Sequence, residues 1–465
     1  MSGQGIVYVI MILYFAVVLG IGYAFRKQES LDDYGLAGRS LTTPVFVATS
    51  VATWIGAGSI MGLGGQGYTI GIGGYWWAFG WAALWCPILI GWLGARRIRR
   101  TGLYTISDVV GERFDDRSRV LSAVLLLFYT LTQMTLQVIS AGVIVNVLLG
   151  IPAWVGAVVG TLVMLTYTVM GGLKAEVWTD VLQFGILIPA FLAMLIFYWI
   201  KLGGTGVLVS QLPQHFDLFR PGSTQIWAWL LSIGPGVTLA TYTWQRLLAA
   251  KDERTARAGA FYSYGFAAVY YLVPFFLGIC AAAAYPGLKD PQQAVPKLIL
   301  GLHPALAGIM LAAFLAVLMS SADSILLYGA TTFTQDIYRR FINPAASQRK
   351  LAYVARLATL LMGLFALAWG LWMPVIMPIW NLGYAVLSGA LFCPVWVGLL
   401  WKRATPDASF WTMLVCAIVY SVLYFVKPLG LDPIFFVLPF SAVLIVVLSF
   451  LTTETPRERL ERIFG

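Results

Sequence analysis

The sequence predicts an all-α integral membrane protein, and three observations carry that prediction. The 465 residues are 60% hydrophobic and only 11% charged, with a mean hydropathy of +0.82, far from the composition of soluble domains. Apolar runs long enough to cross a bilayer, each needing ~20 residues, recur along the whole chain. Two of those runs, five spans apart, are interrupted by glycine-rich stretches, and no polar stretch is long enough to fold separately. The chain 1–465 therefore reads as one membrane domain with about thirteen transmembrane helices.

The first run, Gly5 to Phe25, has no basic residue before it and Arg26-Lys27 directly after it. That is the reverse of a secretory signal, so it reads as a retained span with its N-terminus outside. Alternating the loops from that start places 25 of the 30 Lys and Arg residues on the inner side and leaves five outside: Lys201, Arg220, Lys289, Lys297 and Lys427. The net charge of +10 is then mostly a topology signal, not a nucleic-acid surface. The expected location is the cell membrane, multi-pass, with a cytoplasmic C-terminus. Cys86, Cys280, Cys393 and Cys416 lie in or beside apolar runs as small hydrophobes, with no disulfide framework and no Cys/His metal spacing. His215 and His303 fall in outer loops and support no general-base role.

After a short inner loop comes ATSVATWIGAGSIMGLGGQG, residues 48–67, an apolar segment broken by Gly56 and Gly58. It reads as two half-helices. A broken backbone inside a bilayer is tolerated where protein buries it or a cavity solvates it. Carbonyls freed around Ala52 to Ile55 suit a hard cation, and N–H groups opening the second half suit an anionic group. A kinked helix using glycine for close packing would look the same. Trp76, Trp77, Trp81 and Trp85 follow, read first as interfacial anchors and second as substrate-facing rings. The RRIRR cluster at 96–100 marks the inner face, residues 101–118 a short surface helix, and Val120 to Leu149 a long span.

The fourth span ends at YTVMGG, where Gly171-Gly172 marks a tight turn. Asp180 then opens the fifth, either as a helix N-terminal charge or on an inner ion-exit path. The sixth span is interrupted at Gly234-Pro235-Gly236. An odd offset of five spans reverses orientation across the membrane, as in inverted repeats whose broken helices meet at the midplane. In the eighth, Val317, Ser320, Ser321 and Ser324 share one helix face. Neighbouring hydroxyls with a carbonyl offer the neutral oxygen ligands that sodium prefers, although serines in membrane spans also bond back to their own helix. Asp323 beside them is costly at mid-bilayer unless paired, hydrated or near an edge. Leu351–Trp372, Trp380–Trp401, Phe410–Phe425 and Pro433–Leu451 complete the spans.

The segments GLAGRSL, YTVMGGLKAEVWTDVLQ, WQRLLAAKDERTARAG and LMSSADSILL with DIY after it resemble the sodium:solute symporter family over nearly the whole chain. That resemblance implies the leucine-transporter-type five-plus-five inverted repeat. An extra N-terminal span at 5–25 would precede a ten-span core at 42–402, followed by two C-terminal spans at 409–452 and a tail at 453–465. It also implies a sodium site made by the backbone carbonyls of Ala52, Ile55 and Val317 with the hydroxyls of Ser320 and Ser321. Asp180 matches the family's WTD acid, linked there to sodium handling. Glu176 stands where the family commonly has an apolar residue, and Trp54 where some members have an acid.

The function expected is secondary active transport, a sodium-coupled symport of a small organic solute by alternating access. Thr53, Trp54, Gly56 and Ser59 near the first break, with Thr241, Tyr242 and Gln245 after the second, are the residues expected to bind the solute. Sodium is the co-transported ion. The bilayer and the solute are the remaining partners, with no nucleic acid and no obligate protein partner. A substrate sensor on the same fold, or a sodium-independent carrier or channel, is the alternative. No convergent nucleophile and base suggest an enzyme. Trp54 and nearby aromatics favour a cationic solute through cation–π contact, whereas N–H groups at Gly56 to Gly58 favour a carboxylate.

Overall fold

A computed structural model describes residues 3–56, 58–373, 382–426 and 430–464. These residues are helical almost throughout, with one isolated β-bridge between Leu41 and Ala250. The helices are α1 (Gly3–Ala24), α2 (Leu31–Leu36), α3 (Thr43–Trp54), α4 (Leu63–Ile70), α5 (Ile106–Arg113), α6 (Asp116–Leu149), α7 (Ala153–Lys201), α8 (Ser223–Val237), α9 (Thr241–Ala249), α10 (Glu253–Tyr270), α11 (Leu272–Ala284), α12 (Pro304–Thr332) and α13 (Gln348–Trp372). After the residues outside the description come α14 (Phe392–Leu400), α15 (Pro406–Val426), α16 (Ile434–Leu451) and α17 (Arg457–Phe464).

Many starts are legible as caps. Ser30, Thr105, Asp115, Asp252 and Ser347 each accept a backbone N–H three residues on, at the heads of α2, α5, α6, α10 and α13. Nine helices among the described residues are long and apolar enough to cross a bilayer, with Tyr8–Ala24 a shorter apolar one, against the thirteen spans expected. Part of the difference is α7, whose 49 residues run on across Gly172, where the backbone leaves helical geometry (φ 54°, ψ −156°). At 1.5 Å per residue that length exceeds a ~30 Å hydrocarbon layer about twofold, so the Gly171-Gly172 turn bends two rods into one continuous element. A second part is the interrupted segments: Thr43–Trp54, Ser223–Val237 and Thr241–Ala249 are individually too short, and the half after the first break runs on into Ser59–Thr101.

Two corrections concern the sequence reading. The second interruption does not fall at Gly234-Pro235-Gly236: α8 continues through Pro235 to Val237, and the break follows at 238–240. The two glycines serve packing instead. A Cβ on Gly236 would crowd Ser388 and the Tyr384 carbonyl, and one on Gly234 would strike the Trp85 ring. Trp77 and Trp81 are not interfacial anchors either, being 3% and 2% exposed inside the core.

Packing sets α12 at the centre, against α1, α6 and α7, while α10 lies on α3 and α11 on α4. The basic ends of the spans are sewn together. Arg99 donates to the Ala250 and Lys251 carbonyls, Arg100 pairs with Glu253 at 3.0 Å, and Arg119 pairs with Asp108 at 2.5 Å. Buried Arg113 donates to the carbonyls of Gly398, Trp401, Lys402 and Ala404 and to Thr455, holding α5 to the end of α14 and to the segment before α17.

The α4–α11 seam is a very tight backbone approach. A Cβ on Gly278 would collide with the Gly64 carbonyl and lie 2.6 Å from the Tyr68 nitrogen. Gly278→Ala is expected to destabilise the protein by about 1–3 kcal/mol through overpacking. Gly265→Ala on α10, where nothing lies within 4 Å, is expected to be neutral or stabilising by about 0.5–1 kcal/mol. Thermal unfolding of the two purified variants checks both values.

Candidate ion and solute site

α3 stops at Trp54 because Ile55 leaves helical geometry (φ −81°, ψ 66°), and helix resumes as a π-turn at Gly58–Gly62 before α4. Three carbonyls at the end of α3 are thereby released, and each finds a side chain from another element. Ala52 O accepts Ser320 Oγ at 3.0 Å and Thr53 O accepts Ser321 Oγ at 2.7 Å, both hydroxyls belonging to α12. Trp54 O accepts Tyr271 Oη at 2.5 Å and Ser59 Oγ at 2.8 Å. The chain at Gly56 must lie flat on α12, since a Cβ there would sit 2.5 Å from Ser321 Oγ.

The structure thus brings Ala52 together with Ser320, and Thr53 with Ser321, on neutral oxygen atoms buried in the core. Ile55 adjoins them, its N–H bonded to Val51 O at 3.1 Å. Val317 lies one turn earlier on α12, with its side chain outside the described residues. Such a set of carbonyls and hydroxyls is the donor chemistry of a hard monovalent cation. Of the N–H groups opening the second half, those of Ser59 and Ile60 both donate to Gly56 O, at 3.0 and 3.2 Å. Ala57 lies outside the described residues.

Beneath the break lies a buried charged cluster. Glu176, Asp180 and Asp323 are fully buried, and one ligand oxygen from each falls within 4.8 Å of the others. Arg246 on α9, 1% exposed, is the guanidinium among them. Its Nη2 lies within hydrogen-bond reach of Ser324 Oγ at 2.7 Å, Thr53 Oγ1 at 2.9 Å, Thr49 Oγ1 at 3.0 Å, Asp180 Oδ2 at 3.1 Å and Glu176 Oε1, acceptors that share its two hydrogens. Asp180 is therefore no solvated helix-end charge but an interior group, also accepting from Thr49 and Thr53. Asp323 accepts from Tyr167 Oη at 2.5 Å, away from water.

Beside the break is a small cavity of about 30 Å³ lined by Thr53, Trp54, Gly56, Ser59, Gln133, Leu136, Gln137, Tyr242, Ser321, Ile325 and Tyr384. Five of the seven residues expected to bind solute line it. Thr241 and Gln245 do not: Gln245 Nε2 donates to Gly35 O at 2.9 Å and its Oε1 accepts from Arg246, facing the basic end. Thr241, though buried, lies at the first turn of α9 and off the lining. Gln133 and Gln137 on α6 and Tyr384, which meets Tyr242 hydroxyl to hydroxyl at 2.9 Å, escaped the sequence reading. Two glutamines four apart inside an apolar span were the available signal. The Trp54 ring is stacked on Tyr264 at 4.7 Å and meets the edge of Trp81 at 5.7 Å.

The family model of the sodium:solute symporter family matches residues 34–416. The chain belongs to that family. It is 28% identical to a sodium/glucose cotransporter of Vibrio parahaemolyticus, over 95% of this chain and 89% of that one. To sodium/glucose cotransporter 4 of Danio rerio it is also 28% identical, over 89% of this chain and 70% of the other. Among solved structures it resembles a substrate-bound, outward-open Na+-coupled sialic acid symporter, with a TM-score of 0.85 at 20% identity over 97% and 99% of the two chains. A nucleobase-cation-symport-1 family transporter in a closed conformation matches with a TM-score of 0.61 at 16% identity over 92% and 94%. The fold is accordingly the leucine-transporter-type inverted repeat, and the symporter is a multi-pass membrane protein whose co-transported ion is sodium.

The Trp54 carbonyl has two donors where one suffices. Ser59→Ala and Tyr271→Phe are each expected to cost about 1 kcal/mol or less, whereas the double variant leaves a buried carbonyl unmet and is expected to cost about 1–3 kcal/mol beyond their sum. Denaturation of the four proteins in one detergent measures the excess.

Proposed function

We propose that this symporter couples sodium to an uncharged, hydroxyl- or amide-bearing solute of small size. The observation that carries the reading is the cavity lining, which offers Gln133, Gln137, Ser59, Tyr242 and Tyr384 and no charged side chain. The guanidinium and carboxylates nearest to it are spent on one another in the cluster around Arg246. Tyr264 covers one face of Trp54, which reduces the aromatic surface offered to a cationic solute. The N–H groups of Ser59 and Ile60 are already bonded to Gly56 O and so are not open to a carboxylate. A sugar fits the same description, in keeping with the names of the two cotransporters above.

The ion is assigned to Ala52, Ile55, Val317, Ser320 and Ser321, and the solute to Thr53, Trp54, Gly56 and Ser59 with Tyr242, Gln133, Gln137 and Tyr384. Sodium would replace the two hydrogen bonds that now close Ala52 O and Thr53 O on the serines, drawing α3 and α12 into one rigid cage. With the N-terminus outside and the basic ends of the spans in the cytoplasm, the sodium gradient runs from the cavity towards the Arg246 cluster, and Asp180 stands on that path. The membrane potential alone supplies ~2.3 kcal/mol per charge per 100 mV. No obligate protein partner is needed for this cycle.

A panel of neutral, cationic and anionic solutes screened for sodium-dependent thermal stabilisation identifies the class, since a ligand at 100 times its Kd adds about 2.7 kcal/mol. Neutral polyols or amides are expected to shift the transition, and a shift given only by charged solutes would overturn this reading. With the identified solute, proteoliposomes are expected to accumulate it against its gradient when sodium is high outside. Ser320→Ala and Ser321→Ala are each expected to lower sodium-stimulated uptake by about tenfold or more, the effect of losing about 1.4 kcal/mol of ion binding.

A further inference from the structure

Arg246 sits on α9, the half-helix that places Tyr242 at the solute cavity one turn earlier. Its guanidinium reaches three elements that do not belong to that half-helix. From α3 it takes Thr49 and Thr53, from α7 Glu176 and Asp180, and from α12 Ser324. Two of those contacts lie one bond from the proposed ion cage. Thr53, whose hydroxyl Arg246 holds, carries the carbonyl that accepts Ser321 Oγ. Ser324, also within reach of Arg246, has its single hydroxyl proton between Ser320 O at 2.8 Å and Glu176.

We propose that Glu176 and Arg246 form a latch that seats α9 against the ion site, so that release of the latch and loss of sodium are linked steps of one transition. The inference rests on the symport reading above and deepens it by naming two positioning residues. Every residue of α9 from Thr241 to Ala249 is buried, so solvent reaches Arg246 only if the packing around this half-helix opens. Moving it strips Arg246 from both carboxylates at once. Asp180 Oδ2 is shared with Thr49 and Thr53, whereas Glu176 Oε1 is met by Arg246 and Ser324. Glu176 is thus the partner whose removal weakens the hold on α9 while leaving the hydroxyl contacts of Asp180 in place. A buried ion pair of this kind is worth more as a device that selects one packing than as a source of stability. If sodium favours the latched state by bridging α3 and α12, reciprocity requires that the latch favour sodium by the same factor.

The test uses the full chain purified in detergent, with Ala249→Cys at the end of α9 as reporter; the four native cysteines are buried, and the protein lacking the reporter gives the background. Glu176→Gln is expected to raise the rate of thiol labelling by about fivefold or more and to weaken binding of radiolabelled sodium by a comparable factor. Arg246→Gln is expected to do the same, and the double variant to be no worse than either single one. Unchanged labelling and sodium affinity in Glu176→Gln, or strictly additive effects in the double variant, would overturn the latch. Should Glu176→Gln not unfold cooperatively, Glu176→Asp keeps the charge while shortening its reach, and labelling at the parental rate in that variant would equally overturn it. If the parental protein binds no radiolabelled sodium, the symport reading falls, while the labelling rates still decide the latch.

Discussion

The carbonyls set free where α3 stops are the constraint from which the rest of the architecture follows. Inside hydrocarbon an unmet backbone carbonyl is too costly to persist, so Ala52, Thr53 and Trp54 dictate what must pack around them. Ser320 and Ser321 answer the first two, which pins α12 against the break, and Tyr271 with Ser59 answers the third, which brings up the α10–α11 junction. Gly56 is required because the chain must then pass flat over Ser321. The second break is met in the same way, with Trp244 Nε1 donating to Thr238 O at 2.9 Å and Trp396 Nε1 to the Thr238 hydroxyl at 2.7 Å. Both interruptions are therefore structural elements with their own partners, and the cavity is the space left between them.

Much of this was legible in the residues, and the failures have identifiable causes. Glycines within an apolar run located the first break because no side chain there could sustain a helix or survive contact with α12. The same signal misled at Gly234-Pro235-Gly236, where the glycines admit Trp85 and Ser388, and the actual break at 238–240 carries no glycine at all. Short i→i+3 hydrogen bonds from Thr238, Leu239 and Ala240 tighten that end instead. Tryptophans look alike in sequence whether they sit at an interface or in a core, so Trp81 could be placed only once Trp54, Tyr264 and Tyr271 were seen around it.

The charge count failed at one informative position. Arg246 belongs to a run of cations, with Lys251, Arg254 and Arg257 close behind, and counting it as a loop residue improves the topology signal. Its burial could have been read from Glu176 and Asp180, two acids one helical turn apart with only Lys174 as a nearby cation in the sequence. An interior carboxylate demands an interior cation, and Arg246 is the basic residue nearest the second break. Pairing the unexplained acids with the misplaced base would have put the cluster on the page without coordinates.

The arrangement also bears on how the ion and the solute sense one another without touching the same atoms. Thr53 contributes its side chain to the cavity and to Arg246, and its carbonyl to Ser321; Ser321 in turn lines the cavity and flanks the proposed ion cage. A displacement of α3 by a fraction of an ångström at this residue is felt at the cage, the cavity and the buried cluster together, because each of those contacts is a hydrogen bond near its optimal length. Three neutral oxygens would transmit that shift weakly in water. In a core where nothing else can satisfy them, they make the position of α3 a nearly two-valued quantity, which is the property a coupled carrier requires of its moving part.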